Sequence, residues 1–424
     1  MREGPVKPTS RISMQDLAIR QEGEDWIAGR ADAGDFIEIP YLGVRAIRLL
    51  ADGHTPDEAQ EQLKSGPDET VDVLEFAEQL RDLGFIKSID GIPLDDQEKL
   101  APNMPWIRQE HMRWLCAWPA LAVYAAVTAT AITLVCLRPR LLPSYRDLLI
   151  SRSASTIVVA DMALALAIAG LHELAHLAAA RSVGVPARIN WGTRLFDLVA
   201  QTSMPGVWAV PLRDRLRCYL AGVGCDIVLA SALITAQACG IVPGPAGPVV
   251  RAAVALSVIG VFLQLQVFKR TDVYFVIADL IRARNLHDQA CLYLITQLRA
   301  LTDRVRGRHA RVSCRGLVPA AGSREYRLVR NYAWFMLAGA AASTTALVIF
   351  IVPTAVVVIS HSCTELVKGI SHSNYLETAD ASGAIAILCG FWILFLVVFT
   401  RSRRPWLRRV LATAPAGESP GLDG

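Results

Sequence analysis

Apolar residues are distributed along this chain in two different ways. Beyond residue 113, nearly unbroken apolar runs of about 20 residues recur: Trp114 to Leu137, Thr156 to Ala180, Cys218 to Gly240, Val249 to Phe268, Tyr332 to Ile359 and Ser382 to Thr400. A helix of about 20 residues, rising about 1.5 Å per residue, crosses the hydrocarbon core of a bilayer. Residues 114–400 are therefore expected to form a mainly α, polytopic membrane helix bundle of about six spans.

Ahead of these runs the period changes. Between Ile12 and Ile89 short apolar repeats alternate with polar and turn residues, as in a small water-soluble domain. Trp26-Ile27-Ala28 and Phe36-Ile37-Glu38-Ile39, separated by Arg30-Ala31-Asp32-Ala33-Gly34-Asp35, predict a β-hairpin with a glycine turn. Tyr41 to Leu50 places Leu42, Ala46, Leu49 and Leu50 on one helical face and stops at Asp52-Gly53. Thr55 and Pro56 start a second helix as N-cap and first helical residue, and Val71 to Leu83 forms a third that Gly84 ends. Phe85-Ile86-Lys87-Ser88 then returns as a strand. This order predicts a small winged-helix-like α+β domain over residues 12–90, with a linker at 91–113. Residues 1–11, basic and turn-rich, and the tail 401–424, basic and then small and polar, are expected to lack order.

Composition sharpens the membrane reading. Hydrophobic residues make up 53% of the chain and charged residues only 19%, an unusual balance for a soluble protein. The formal net charge of +4 is too small and too dispersed for a nucleic-acid partner. Its distribution instead reports topology. Basic residues crowd Lys269 to Arg330 and Arg401 to Arg409, whereas the loops Ile241 to Pro248 and Ser360 to Ala381 carry only Lys368. The positive-inside rule then places the crowded segments and the N-terminal domain in the cytoplasm. The four arginines between Arg138 and Arg152 are the exception to that scheme. No early apolar stretch reads as a signal peptide. The nine cysteines are scattered and form no C-x-x-C pair, so they read as small apolar residues rather than as disulfides or metal ligands.

The chemistry lies in Leu171-His172-Glu173-Leu174-Ala175-His176, at the C-terminal end of the second apolar run. Residues four apart share a helical face, so both imidazoles can reach one Zn²⁺ with Glu173 beside them. An ionisable side chain within a membrane helix costs about 2.5–3.5 kcal/mol on insertion scales. A divalent cation offsets that cost by taking up charge and lone pairs. Without a metal, Glu173 and His176 would be snorkelling at the cytoplasmic interface. A hydrolytic zinc site usually takes three protein ligands. Asp161, three turns earlier on the same helix, cannot fold back, which leaves Asp226 in the third span and Asp272 at the end of the fourth.

Two resemblances extend this reading. Phe36-Ile37-Glu38-Ile39-Pro40, Gly43 to Leu50, Gly53-His54-Thr55-Pro56-Asp57-Glu58 and Leu80 to Ile86 resemble the PqqD-like precursor-recognition domain. Such domains bind the leader of a ribosomally made peptide by strand addition to the hairpin edge. The His-Glu-x-x-His helix, with Arg270-Thr271-Asp272-Val273-Tyr274 and Asn285-Leu286 downstream, is similar to the site-2-protease family, in particular its peptide-maturation branch. The likeness is strong over residues 154–286 and weak over the last two spans. It implies Asp272 as third ligand, in the place of the family's Leu-Asp-Gly aspartate. Val273 stands where that family has Gly, and Gln264 and Gln266 stand where it often has Asn. Ala221-Gly222-Val223-Gly224-Cys225-Asp226 resembles the family's Ala-Gly-Pro-x-x-Asn helix, which makes Asp226 either a partner of a ligand or a rival ligand. Asn190-Trp191-Gly192, Phe196 and Trp208 to Pro211 resemble its substrate-guiding membrane-associated strand.

The resemblances imply an intramembrane zinc endopeptidase of a bacterial plasma membrane. Its ligands would be His172, His176 and Asp272, with Glu173 as the general acid-base group. The expected substrate is a precursor peptide delivered by the cytoplasmic N-terminal domain, with peptide-modifying enzymes as further partners. Two other readings stay open: cleavage of a membrane-anchored regulatory protein, and a non-catalytic scaffold for peptide maturation or export.

Overall fold

The computed structural model describes residues 5–23, 25–64, 72–94, 103–151, 153–194, 197–283, 286–305, 322–346, 375–412 and a few positions between 360 and 371. The fold is mainly helical, with strands concentrated near the N-terminus. The chain divides into two compact units: Met1–Val123, Glu173–Asn190 and Thr202–Ala221 in one, and Tyr124–His172, Trp191–Gln201 and Gly222–Gly424 in the other.

In the first unit, β1 (Ile12–Met14), β2 (Ala18–Glu22), β3 (Asp25–Arg30) and β4 (Asp35–Ile39) precede helices α1 (Tyr41–Ala51), α2 (Pro56–Leu63) and α3 (Val73–Asp82). Strands β5 (Ile86–Ile89) and β6 (Ile92–Pro93) follow. The expected hairpin is β3–β4, paired antiparallel from Trp26↔Ile39 to Arg30↔Asp35. Its turn needs Gly34, whose φ is +86° and whose Cβ would overlap Pro205. Local chemistry also sets the helix starts. Thr55 and Glu58 form a reciprocal capping box around Pro56, and Asp72 caps α3 by accepting from the N–H groups of Leu74 and Glu75. Val44, Leu50, Ala59, Val73, Ala77, Leu80 and Phe85 are wholly buried in the resulting core.

Two strands escape the period-2 pattern. β2 adds to β3 to make a three-stranded sheet, and the three-residue β1 pairs with β5 through Ile12↔Ile89. Residues 5–11, expected to lack order, are packed. Val6 joins the apolar core, while the Ser10 hydroxyl and the Arg11 N–H both donate to the Asp90 carboxylate. The Arg11 N–H, then the Ser10 hydroxyl, hold the Asp90 carboxyl below its ordinary range. The linker is also engaged: Asn103 exchanges two hydrogen bonds with the backbone of Ile189, and Gln109, first residue of the short α4 (Gln109–Met112), donates to the Ser182 carbonyl.

Four helices among the described residues are long and apolar enough to cross a membrane: α5 (Trp118–Leu137), α6 (Ala154–Ser182), α7 (Leu212–Ala238), and α8 (Gly247–Gln264) with the turn leading into it. They account for the first four apolar runs. Strands β7 (Arg188–Arg194) and β8 (Asp197–Ser203) lie between α6 and α7 and pair as a two-stranded ribbon. The described residues do not reach the expected count of six. The fifth run starts within α11 (Arg324–Ala346) and continues outside the described residues, while the sixth lies in α12 (Tyr375–Ala412), whose apolar stretch Thr378–Leu394 is shorter than a span.

In the second unit, Ala131 of α5, Ile234 of α7 and Val254 of α8 share a buried cluster. Arg138, one of the four arginines that oppose the charge rule, donates to the Ala238 carbonyl at the C-terminus of α7, where a cation is favoured. Asp380 of α12 caps the start of α6, accepting from the backbone N–H groups of Ala154 and Ser155 and from the hydroxyls of Ser153 and Ser155. The fourth apolar run is not one helix to Phe268. α8 ends at Gln264, a 3-10 turn covers Val267–Lys269, Arg270 adopts left-handed backbone (φ 56°), and α9 (Asp272–Leu280) starts anew, followed by α10 (Leu286–Val305).

Candidate metal centre

His172 and His176 lie one turn apart on α6, so their side chains share a face. Both are buried, as are Glu173, Asp226 and Asp272. One ligand atom from each of His172, His176 and Asp272 lies within 4.8 Å of the others, so this group could hold a metal ion.

Asp272 comes to the group from the first turn of α9 rather than from the end of the fourth span. Gln264 makes that placement. Its backbone carbonyl accepts from Thr271 Oγ1 at 2.6 Å, and its side-chain oxygen accepts from the Asp272 N–H at 3.2 Å. The Tyr332 hydroxyl donates to the Val267 carbonyl and braces the turn between α8 and α9. Val273, in the place of an expected glycine, sits in ordinary helix, because the left-handed residue of this turn is Arg270.

Both ring nitrogens of His172 are engaged. Nδ1 lies 2.8 Å from Asp226 Oδ2, and Nε2 lies 2.9 Å from Asp272 Oδ2 and 3.3 Å from Gln264 Nε2. Gln264 Oε1 accepts from the Asp272 N–H, so its NH₂ group faces His172. His172 Nε2 and the Asp272 carboxylate approach each other closely enough to share one cation. At His176 the Nδ1–H donates to the Cys218 carbonyl at 2.7 Å, so Nε2 is the nitrogen that this ring would offer to a metal. Asp226 Oδ1 is buried without a hydrogen-bond partner, so this carboxylate is committed to His172 through Oδ2 alone.

Glu173 is held separately. Thr202, near the end of β8, donates its hydroxyl to Glu173 Oε2 at 2.6 Å. A buried ring of two imidazoles and one carboxylate, with donors and carbonyls behind them, fits a borderline-soft divalent ion such as Zn²⁺ by its N₂O donor set.

Of the sequence candidates, His172, His176 and Asp272 come together, Asp226 lies behind His172, and Glu173 is the next residue on α6. Asn190, Trp191 and Gly192 belong to β7, Trp208 lies in a 3-10 turn at Pro205–Ala209, and Phe196 lies outside the described residues. His54 and His287 are engaged elsewhere, with the Leu49 carbonyl and the Tyr332 hydroxyl. Gln264, Thr202 and the Cys218 carbonyl have no spacing signature. No family model matches the chain, nor does any curated protein or solved structure.

Proposed function

We propose that this protein is a membrane-embedded, zinc-dependent endopeptidase of the site-2-protease kind, acting on a small ribosomally made precursor peptide. The observation that carries the reading is the buried group His172, His176 and Asp272 on and beside a helix of membrane-spanning length, with Glu173 next to the first ligand. The likeness to that family rests on the motif residues quoted above.

Bound there, a zinc ion would polarise a peptide carbonyl and make water a competent nucleophile near neutral pH. Asp226 and the Cys218 carbonyl keep both imidazoles in the tautomer that presents Nε2. Thr202 holds Glu173 Oε2, so Oε1 is the oxygen that takes a proton from the attacking water and passes it to the leaving amine. Burial of the two imidazoles, Glu173, Asp226 and Asp272 strengthens each of their interactions. The N-terminal sheet would receive the precursor in the cytoplasm, with the bundle completed to six spans in a bacterial plasma membrane.

The test is peptide-library cleavage followed by mass spectrometry, with purified zinc-loaded protein in detergent. Wild-type protein should make cuts that Glu173→Gln makes about 10²–10⁴-fold more slowly, while the variant keeps its zinc. Equal cleavage by the two proteins would show that Glu173 is not the acid-base group, and absence of zinc-dependent cleavage by the wild type would overturn the peptidase reading.

A further inference from the structure

The Glu22–Arg215 ion pair has no part in the chemistry above, yet it is built with unusual care. Arg215, near the start of α7, has no exposed surface. Its Nη2 donates to Glu22 Oε1 at 2.5 Å and its Nη1 to Glu22 Oε2 at 3.1 Å, with a longer bond to the Val210 carbonyl. The guanidinium lies over the Trp208 ring at 4.8 Å, and Arg20 gives Glu22 a further bond at 2.8 Å. Such a pair adds little net stability, because desolvation offsets the attraction, and its best-attested use is to fix register.

The register in question belongs to α7. Arg215, Cys218, Gly222 and Asp226 fall at i, i+3, i+7 and i+11, which is one face of a helix. That face carries the Cys218 carbonyl, which orients His176, and the Asp226 carboxylate, which orients His172. A slip of one residue would move each group about 1.5 Å along the axis and about 100° around it. Hydrogen bonds of 2.7 and 2.8 Å do not survive that displacement. A bidentate fork has one geometry, so it is satisfied in one register.

We propose that the Glu22–Arg215 pair sets the register of α7, so that the N-terminal sheet helps to position the metal ligands. Glu22 and Arg215 are then positioning residues that act on His176 through the Cys218 carbonyl. The proposal rests on the metal-centre reading. It predicts that a charge on β2, remote in sequence from every ligand, controls metal affinity.

The experiment uses the full chain in detergent, titrated with Co²⁺, with the visible d–d band and chelator competition as readouts. Loss of binding in His172→Ala first establishes that Co²⁺ occupies this centre. Glu22→Gln and Arg215→Lys should each weaken Co²⁺ binding about tenfold and alter the band, and combining them should add little further. Asp32→Asn, which takes the exposed carboxylate partner from the buried Arg30 of the same sheet, should lower thermal stability and leave Co²⁺ affinity unchanged. Should Glu22→Gln fail to fold, Glu22→Asp carries the test, with an expected loss of about threefold. Wild-type affinity and band in the folded Glu22 and Arg215 variants would overturn the register proposal alone. A wild-type protein that shows no His172-dependent Co²⁺ binding would overturn the metal centre itself.

Discussion

Helices α5 and α6 are both long and apolar enough to cross a membrane, and hardly any of the apolar window of either is buried. They handle polar side chains in opposite ways. In α5 the hydroxyls of Thr130 and Thr133 donate to the carbonyls of Ala126 and Ala129, one turn back at 2.8 and 2.9 Å, so the helix satisfies them itself. In α6, His172, Glu173 and His176 are buried and each finds its partner on another element: Asp226 of α7, Thr202 of β8 and the Cys218 carbonyl of α7. Local closure needs no neighbour and no ion. Long-range closure needs a neighbour, and on α6 it assembles the group His172, His176 and Asp272 that could hold a metal ion.

The largest expected effect would break this contrast outright. His172→Ala or His176→Ala should reduce bound zinc from about one ion per chain to background, because two remaining ligands hold zinc poorly. Elemental analysis of the purified proteins reads this directly, and equal zinc in variant and wild type would mean that α6 carries its imidazoles for another reason. A graded effect should separate the two aspartates. Asp272→Asn removes a ligand and should weaken zinc binding by more than about 100-fold, whereas Asp226→Asn disturbs only the partner of His172 and should cost about 10- to 100-fold. Chelator competition distinguishes them, and the reverse order would exchange their roles.

The same contrast explains what the sequence made legible. The i, i+4 pair on α6 was visible because helical spacing alone brings His172 and His176 together. Hairpin β3–β4, the capped start of α2 and the cores of α1 and α3 were visible for the same reason, since each is written in neighbouring residues. Asp272 was different. It lies 100 positions from His172, and only the family resemblance, not spacing, placed it among the ligands. The break after Gln264 was hidden because Val267 and Phe268 prolong the apolar run while hydrogen bonds from Gln264 redirect the backbone. β1 is too short to show a period, and Val6 fills the core from a basic, turn-rich end that carries no apolar repeat. Thr202 and Glu22 had no local signature, because their meaning lies wholly in partners distant along the chain.

The smallest effect tests the other half of the comparison. If hydroxyls in α5 are satisfied by their own helix, Thr130→Val and Thr133→Val each remove a donor and leave its former carbonyl in its ordinary helical bond. Valine matches threonine in shape, and both positions are exposed, so no cavity forms. Stability should change by no more than about 0.5 kcal/mol, and zinc affinity should not change at all. Thermal melting in detergent and chelator competition measure the two quantities. A large drop in either would mean that α5 hydroxyls reach beyond their own turn, and α5 would then have to be counted, with α6, among the helices that build the centre.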